Sequence, residues 1–331
     1  MNIFQRVYIA IFKSANKKIY RESLEKVETP DLYPVLEPDA VHFKHFGLIG
    51  DIIYAIPAMK ALAQGRKIHL HLQINQKSMY RKGMNHQNKD KILTEKSVEL
   101  LAPLLLAQPD FAVCDILTDQ RVDYDLDYFR KYPFDYNKGH ICRWYFQTYG
   151  ITADLGKPWL QVEPNTEFKD EIVIARSFRY RAPGISFDFL KDHTNITHVG
   201  LKEEFEDLKK EIPNLKYKPV NNFLELAAVI AGCKFFIGNQ SFPFAVAEAL
   251  KVKRILELYF ECPNVIPEGK DAYDFCYQPQ FEKVFQQLNS LVRWSFTSSE
   301  KPFFLLQKIC SNSCIGFMKN TNIIIAHQVF G

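Results

Sequence analysis

The chain has 331 residues, 47% of them hydrophobic and 24% charged, the proportions of a soluble globular protein, not a disordered one, and long enough for two domain cores. Its net charge of +4 comes from 42 basic and 38 acidic residues; this suits an anionic ligand but leaves no basic stripe of the nucleic-acid-binding kind. Seven cysteines, an odd number with no CxxC spacing, argue against a disulfide framework or a zinc site and for reduced thiols in a cytoplasmic protein.

The first 36 residues read as a helix and a proline-bearing linker. Ile3, Phe4, Val7, Tyr8 and Ile11 recur at helical spacing, with Lys13, Lys17 and Lys18 beyond them. The run is too short and too interrupted for a secretory signal or a membrane span. A helix docked on the protein's own surface is favoured over association with a membrane surface.

"AVHFKHF" then predicts a strand, "GLIG" a turn, "DIIYAIPAMKALAQG" a helix and "KIHLHLQI" a second strand. This β–turn–α–β unit opens a parallel α/β sheet. "KSVELLAPLLLAQ" predicts a helix broken or kinked at Pro103, and "FAVCDIL" a strand. Residues 122–140 read as irregular, and "ICRWYFQTYGI" as a short helix. A boundary is expected near 165–170. A second α/β series follows, with strands at "EIVIARS", "ITHVGL", "KFFIG" and "RILELYF". Helices are expected at "KEEFEDLKKEI" and "NFLELAAVIAGC" and after "NQSFP". From about 287 the periodicity fades. The expected organisation is an N-terminal helix and linker (1–36), a first α/β domain (37–168), a second α/β domain (169–286) and an extension (287–331).

Two stretches carry chemistry. In "KHFGLIGD", Gly47 and Gly50 permit a sharp turn and close approach of a ligand to the backbone. Asp51 then has two readings: a carboxylate capping a helix N-terminus, or a general base in a cleft. The glycine spacing is not the GxGxxG dinucleotide fingerprint, which argues against a Rossmann-type oxidoreductase. In "FIGNQSFPFAVAEAL", a strand ends at Gly238. Asn239, Gln240 and Ser241 form a polar turn, and Pro243 sits in the first turn of a helix, a natural phosphate site.

Together, "GLIGDIIYAIPAMKAL" and "LAAVIAGCKFFIGNQSFPFAVAEALKV" resemble the N- and C-terminal signatures of the heptosyltransferase-like glycosyltransferases (glycosyltransferase family 9-like), over roughly residues 40–285. The resemblance implies a GT-B fold, two Rossmann-like parallel α/β domains facing a cleft. It implies inverting, metal-independent sugar transfer from a nucleotide-sugar to a saccharide or other hydroxyl-bearing acceptor, without a cofactor. Carried over, Asp51 becomes the general base, and Gly47 and Gly50 line the acceptor side. Gly238, Asn239, Gln240 and Ser241 hold the donor. Two departures stand out: Gln240 replaces the family's acid and Phe242 its glycine, and the histidine expected near Ala245 is absent. A non-catalytic nucleotide-sugar binder of the same fold is the alternative.

Arg176, Arg179 and Arg181 in "IARSFRYR" are placed by the resemblance near the leaving diphosphate, for which the guanidinium fork is suited. "DYDLDYF" (123–129) contains a DxD, which in other glycosyltransferases holds a metal. Without a matching sheet pattern it reads better as an acceptor-recognition loop, and Tyr128 in the required glycine position excludes a calcium loop. His69 and His71 alternate on a strand and share a face, with no third ligand in sight.

Overall fold

The computed structural model describes residues 3–77, 91–132 and 135–290; the cysteines at 310 and 314 and the rest of 291–331 lie outside them. Residues 1–290 form one compact unit. It opens with α1 (Ile3–Leu24). Every side chain from Ser14 to Ile19 is exposed, and Ile19 is 63% exposed. This part of α1 is open to solvent; the side chains of Ile3, Phe4, Val7, Tyr8 and Ile11, on which the docking expectation rests, lie outside the described ones.

The first sheet is built from β1 (Ala40–His45), β2 (Lys67–Leu72), β3 (Phe111–Ile116) and the two-residue β4 (Tyr124–Asp125). All pairings are parallel, in the order β3-β2-β1-β4. Between them run α2 (Ile49–Ala63) and α3 (Glu95–Leu106), followed by α4 (Ile141–Tyr149). The pattern fixes the faces: Val41, Phe43 and His45 are buried against α2 while His42 and Lys44 point the other way, as a period of two requires. Thr94 and Ser97 cap α3 reciprocally, a motif that satisfies orphan N–H groups. The helix runs unbroken through Pro103. The stretch expected to be irregular instead contributes β4 and a 3₁₀ helix at Leu126–Lys131.

The second sheet has six parallel strands in the order β10-β9-β8-β5-β6-β7. They are β5 (Ile172–Ala175), β6 (Ile196–His198), β7 (Lys216–Tyr217), β8 (Phe235–Asn239), β9 (Arg254–Glu257) and β10 (Ala272–Phe275). The helices are α5 (Lys202–Leu208), α6 (Phe223–Gly232), α7 (Phe242–Leu250) and α8 (Gln278–Ser290). β7, β10 and α8 escaped the sequence reading, and α8 crosses the boundary expected at 286.

Parallel strands covered on both faces carry apolar residues in unbroken runs, and β5 shows why. Val173 and Ala175 join a core shared with α2, α4, α6 and α7 and with the first sheet. Ile172 and Ile174 face a separate core with Phe187, Phe205, Phe281 and Phe285. One hydrophobic cluster thus reaches both sheets, and it sets the first turns of α2 and α7 against each other.

Candidate functional site

The helix carrying Asp51 starts at Ile49, two residues earlier than expected. Asp51 therefore sits in the first turn and is not the cap; Leu48 holds the cap position, with no side-chain bond. Its carboxylate meets Arg130 of the 3₁₀ helix instead, Oδ2 to Nη2 at 3.4 Å. Gly50 faces α7: a Cβ there would stand 3.7 Å from the Phe242 Cα and 4.0 Å from the Ala245 Cβ. The two helix N-termini converge, and their unpaired N–H groups give that meeting point a positive potential.

A cleft of about 590 Å³ opens there. Leu48, Gly50, Asp51 and Tyr54 line it on one side, and Ser177, Arg179, Gln240, Ser241 and Phe242 on the other. Asp51 is partly exposed to it, its side chain 24% accessible.

The other expected site residues divide sharply. Gly47 is behind Asp51 and not on the cleft wall. A Cβ there would fall 2.4 Å from His45 Cε1, 2.8 Å from Arg130 Nη2 and 3.0 Å from Asp51 Oδ2, so only glycine lets these three groups converge. Gly238 packs strands, with Phe236 Cε1 2.7 Å and the Ala175 carbonyl 3.1 Å from an added Cβ. Asn239 is fully buried. It accepts from the Ser177 N–H at 3.0 Å and donates to the Ser177 carbonyl at 2.9 Å and to that of Arg179, organising the facing loop. Gln240 lines the cleft, but its amide is engaged on both ends. Nε2 donates to the Cys262 carbonyl (2.6 Å) and Asn264 Oδ1 (2.9 Å), and Oε1 accepts from the Tyr259 N–H (2.8 Å). Ser241 opens α7 without a side-chain cap. Phe242 packs against Phe223 with the rings tilted, their centroids 4.3 Å apart.

Of the three arginines, only Arg179 reaches the cleft. Arg176 is buried in a two-pronged pair with Glu257 (2.7 and 2.8 Å), and Arg181 is held by Asp207 at 2.7 Å and the Ser177 carbonyl at 3.0 Å. Both were expected beside a diphosphate. Strand β5 instead turns Arg176 inward onto β9, where a buried carboxylate has the stronger claim on a guanidinium.

The carboxylates of the DxD stretch are all engaged within the protein. Asp123 accepts from the His42 N–H and Arg121, and Asp125 from Lys44. Asp127 accepts from the Phe46 N–H at 2.7 Å and Arg130 Nε at 3.2 Å. These carboxylates brace β1 from below. His69 and His71 do share a face, joined by His42: His42 Nδ1 and His71 Nε2 are 3.0 Å apart, and His71 Nδ1 is 2.6 Å from Asp115. They stand away from the cleft. Among the described residues no group of three or more His, Cys, Asp or Glu is arranged to hold a metal ion.

Sequence reasoning missed three neighbours of Asp51. Arg130 lies 79 positions away. Tyr145 donates to the Asp51 carbonyl at 3.3 Å, and its hydroxyl is 2.9 Å from His45 Nε2. His45 Nδ1 accepts from the Gly47 N–H at 2.8 Å. No spacing rule links these positions; only the β1–β4 pairing and the packing of α4 on α2 bring them together.

Burial holds His45 neutral in the fold, lowering its pKa to about 3. Burial likewise lowers His140 and His198 to about 4. In the unfolded chain such groups bind a proton below about pH 6.5. Between about 6.5 and 4 the unfolded state thus holds more protons, and stability falls as the solution is acidified. Asp127 opposes this. Burial, partly offset by Arg130, raises it to about 7, so over that window it favours the fold as pH drops. Glu204 and Asp274, also raised by burial, act with Asp127, while Asp207 and Glu225, held low by hydrogen bonds, act with the three histidines, which carry the balance. The thermal midpoint should fall by several degrees between about pH 7 and pH 4.5, measured by calorimetry, and His198→Gln should flatten that dependence.

No family model matches the sequence, and no curated protein matches it. Solved structures do. A heptosyltransferase WaaC of E. coli, solved with ADP, is covered over 100% of its length by 76% of this chain, at 13% identity and a TM-score of 0.50. The chain has the α/β fold of the GT-B glycosyltransferases. A family 9 glycosyl transferase from Veillonella parvula DSM 2008 matches at 12% identity, covering 78% of this chain and 91% of that one, TM-score 0.45. The heptosyltransferase TibC, solved with ADP-D-beta-D-heptose, matches at 13% identity, covering 78% and 79%, TM-score 0.49. No helix among the described residues is long and apolar enough to cross a membrane.

Proposed function

We propose that this GT-B chain is a glycosyltransferase that moves a sugar from a nucleotide-sugar to an acceptor hydroxyl, with inversion, without a metal, and with Asp51 as general base. One observation carries the reading: a partly exposed carboxylate at the start of α2 faces the open start of α7 across a cleft of about 590 Å³. The donor's phosphates lie against the first N–H groups of α7 and beside Arg179, where positive potential suits them. The acceptor enters from the α2 side. Its hydroxyl gives its proton to Asp51 as the oxygen bonds to the anomeric carbon, and the nucleoside diphosphate leaves on the opposite face with the electron pair of the broken bond.

A second reading is a nucleotide-sugar binder without turnover. The full engagement of Gln240 with the 259–264 loop and the packing of Phe242 against Phe223 favour it, because both occupy positions where the resembled family keeps smaller or acidic groups. ADP, UDP, GDP and CMP, each in the free form and as sugar conjugates, separate the readings. The proposed function predicts a raised thermal midpoint with one nucleotide and release of that nucleotide from its sugar conjugate when an acceptor is present. Binding without release would leave only the second reading.

A further inference from the structure

We infer that Arg130 is a positioning residue for Asp51: anchored on Asp127, its guanidinium fixes one oxygen of the Asp51 carboxylate and leaves the other turned to the acceptor. This rests on the reading of Asp51 as the base and adds a residue that lies outside both motifs.

The geometry divides the work among named atoms. Arg130 Nε bonds Asp127 Oδ1 at 3.2 Å, and Nη2 reaches Asp51 Oδ2 at 3.4 Å. Asp127 is itself fixed, since its Oδ2 accepts from the Phe46 N–H at 2.7 Å and its side chain is 2% exposed. The guanidinium lies over two rings, 5.0 Å from the Phe46 centroid and 4.7 Å from that of Phe129, which limits its swing. The lack of a side chain at Gly47 creates the space in which Nη2 and Oδ2 meet. Tyr145 holds the Asp51 backbone from the other side. Among the described residues nothing donates to Asp51 Oδ1, so that oxygen is the one presented to an incoming hydroxyl.

This arrangement suits a base that changes charge. When Asp51 takes up the acceptor's proton it becomes neutral, and Arg130 stays in place through its bond to Asp127 and its contacts with the Phe46 and Phe129 rings. A lysine could not do the same, because spanning two acids at fixed angles needs the planar fork.

The test uses the full-length chain and the nucleotide-sugar turned over fastest, with ADP-heptose tried first. Arg130→Gln should lower kcat by about 10- to 100-fold, the scale of a misplaced catalytic group, with KM for the donor changed less than about twofold. Arg130→Lys should fall between the two. In an Asp51→Asn background, Arg130→Gln should cost less than about threefold more, because both changes remove the same function. Equal factors in both backgrounds, or a faster enzyme, overturn the inference. A fall for Asp51→Asn without one for Arg130→Gln overturns the inference but leaves the base. No fall for Asp51→Asn removes the base itself. A crystal structure of Arg130→Ala adds a readout independent of turnover: the Asp51 carboxylate should rotate from its position, and an unmoved carboxylate overturns the role.

Discussion

Asp51→Asn should lower sugar transfer by about 10²- to 10⁴-fold, the contribution typical of a positioned general base. Asparagine keeps the shape and can still meet Arg130, but it cannot accept the acceptor's proton. The ground-state complex changes little, because the donor's phosphates lie at α7, across the cleft. Donor affinity should therefore stay within about threefold while kcat falls, the signature of an interaction made only in the transition state. Isothermal titration with the nucleoside diphosphate and initial rates on the same preparation check both halves. Equal rates for wild type and variant would remove Asp51 from the mechanism.

The largest effect on stability is expected at the other end of α7. Glu248 and Arg254 are both fully buried and paired, Arg254 Nε donating to Glu248 Oε2. Lys251 bonds the second oxygen of the carboxylate, and the Glu268 N–H donates to it at 3.1 Å. Arg254 Nη1 donates to the Val252 carbonyl at 2.9 Å. The cluster ties α7 to β9 and so sets where Ser241 and Phe242 stand in the cleft. Removing one partner leaves the other charged without compensation, which costs about 3–5 kcal/mol. Urea unfolding of Glu248→Leu should show a loss of that size. Glu248→Leu combined with Arg254→Met should regain much of it, since two well-packed apolar groups can replace a buried pair at little cost. A loss below about 1 kcal/mol in the single variant would mean that the pair is not buried as described.

The same contrast between motif and surroundings explains how much of the site was legible. "GLIGDIIYAIPAMKAL" located Asp51 and Gly50 on the cleft because a strand, a tight turn and a helix start are local events, written in consecutive residues. Local reading also placed Ser241 at the opening of α7. It went astray where a side chain's partner comes from far along the chain. Arg176 and Arg181 looked like phosphate ligands until Glu257 and Asp207 claimed them. Asn239 and Gln240 looked like donor ligands until their amides were found bridging neighbouring loops. The acids at 123–127 have their bonding partners in and beside β1, which only the β1–β4 pairing brings to them.

The sequence by itself determined the alternation of apolar strands and amphipathic helices, hence the α/β class, two sheets in series and helix starts at both glycine-bearing turns; burial periodicity is a short-range property and survives without knowing the partners. Tertiary structure alone decided which polar groups face the cleft and which are spent inside. A buried carboxylate or carbonyl must find a donor, and which donor is nearest depends on strand order and helix packing. Arg130, separated from Asp51 by 79 residues, became its neighbour only when β4 paired with β1.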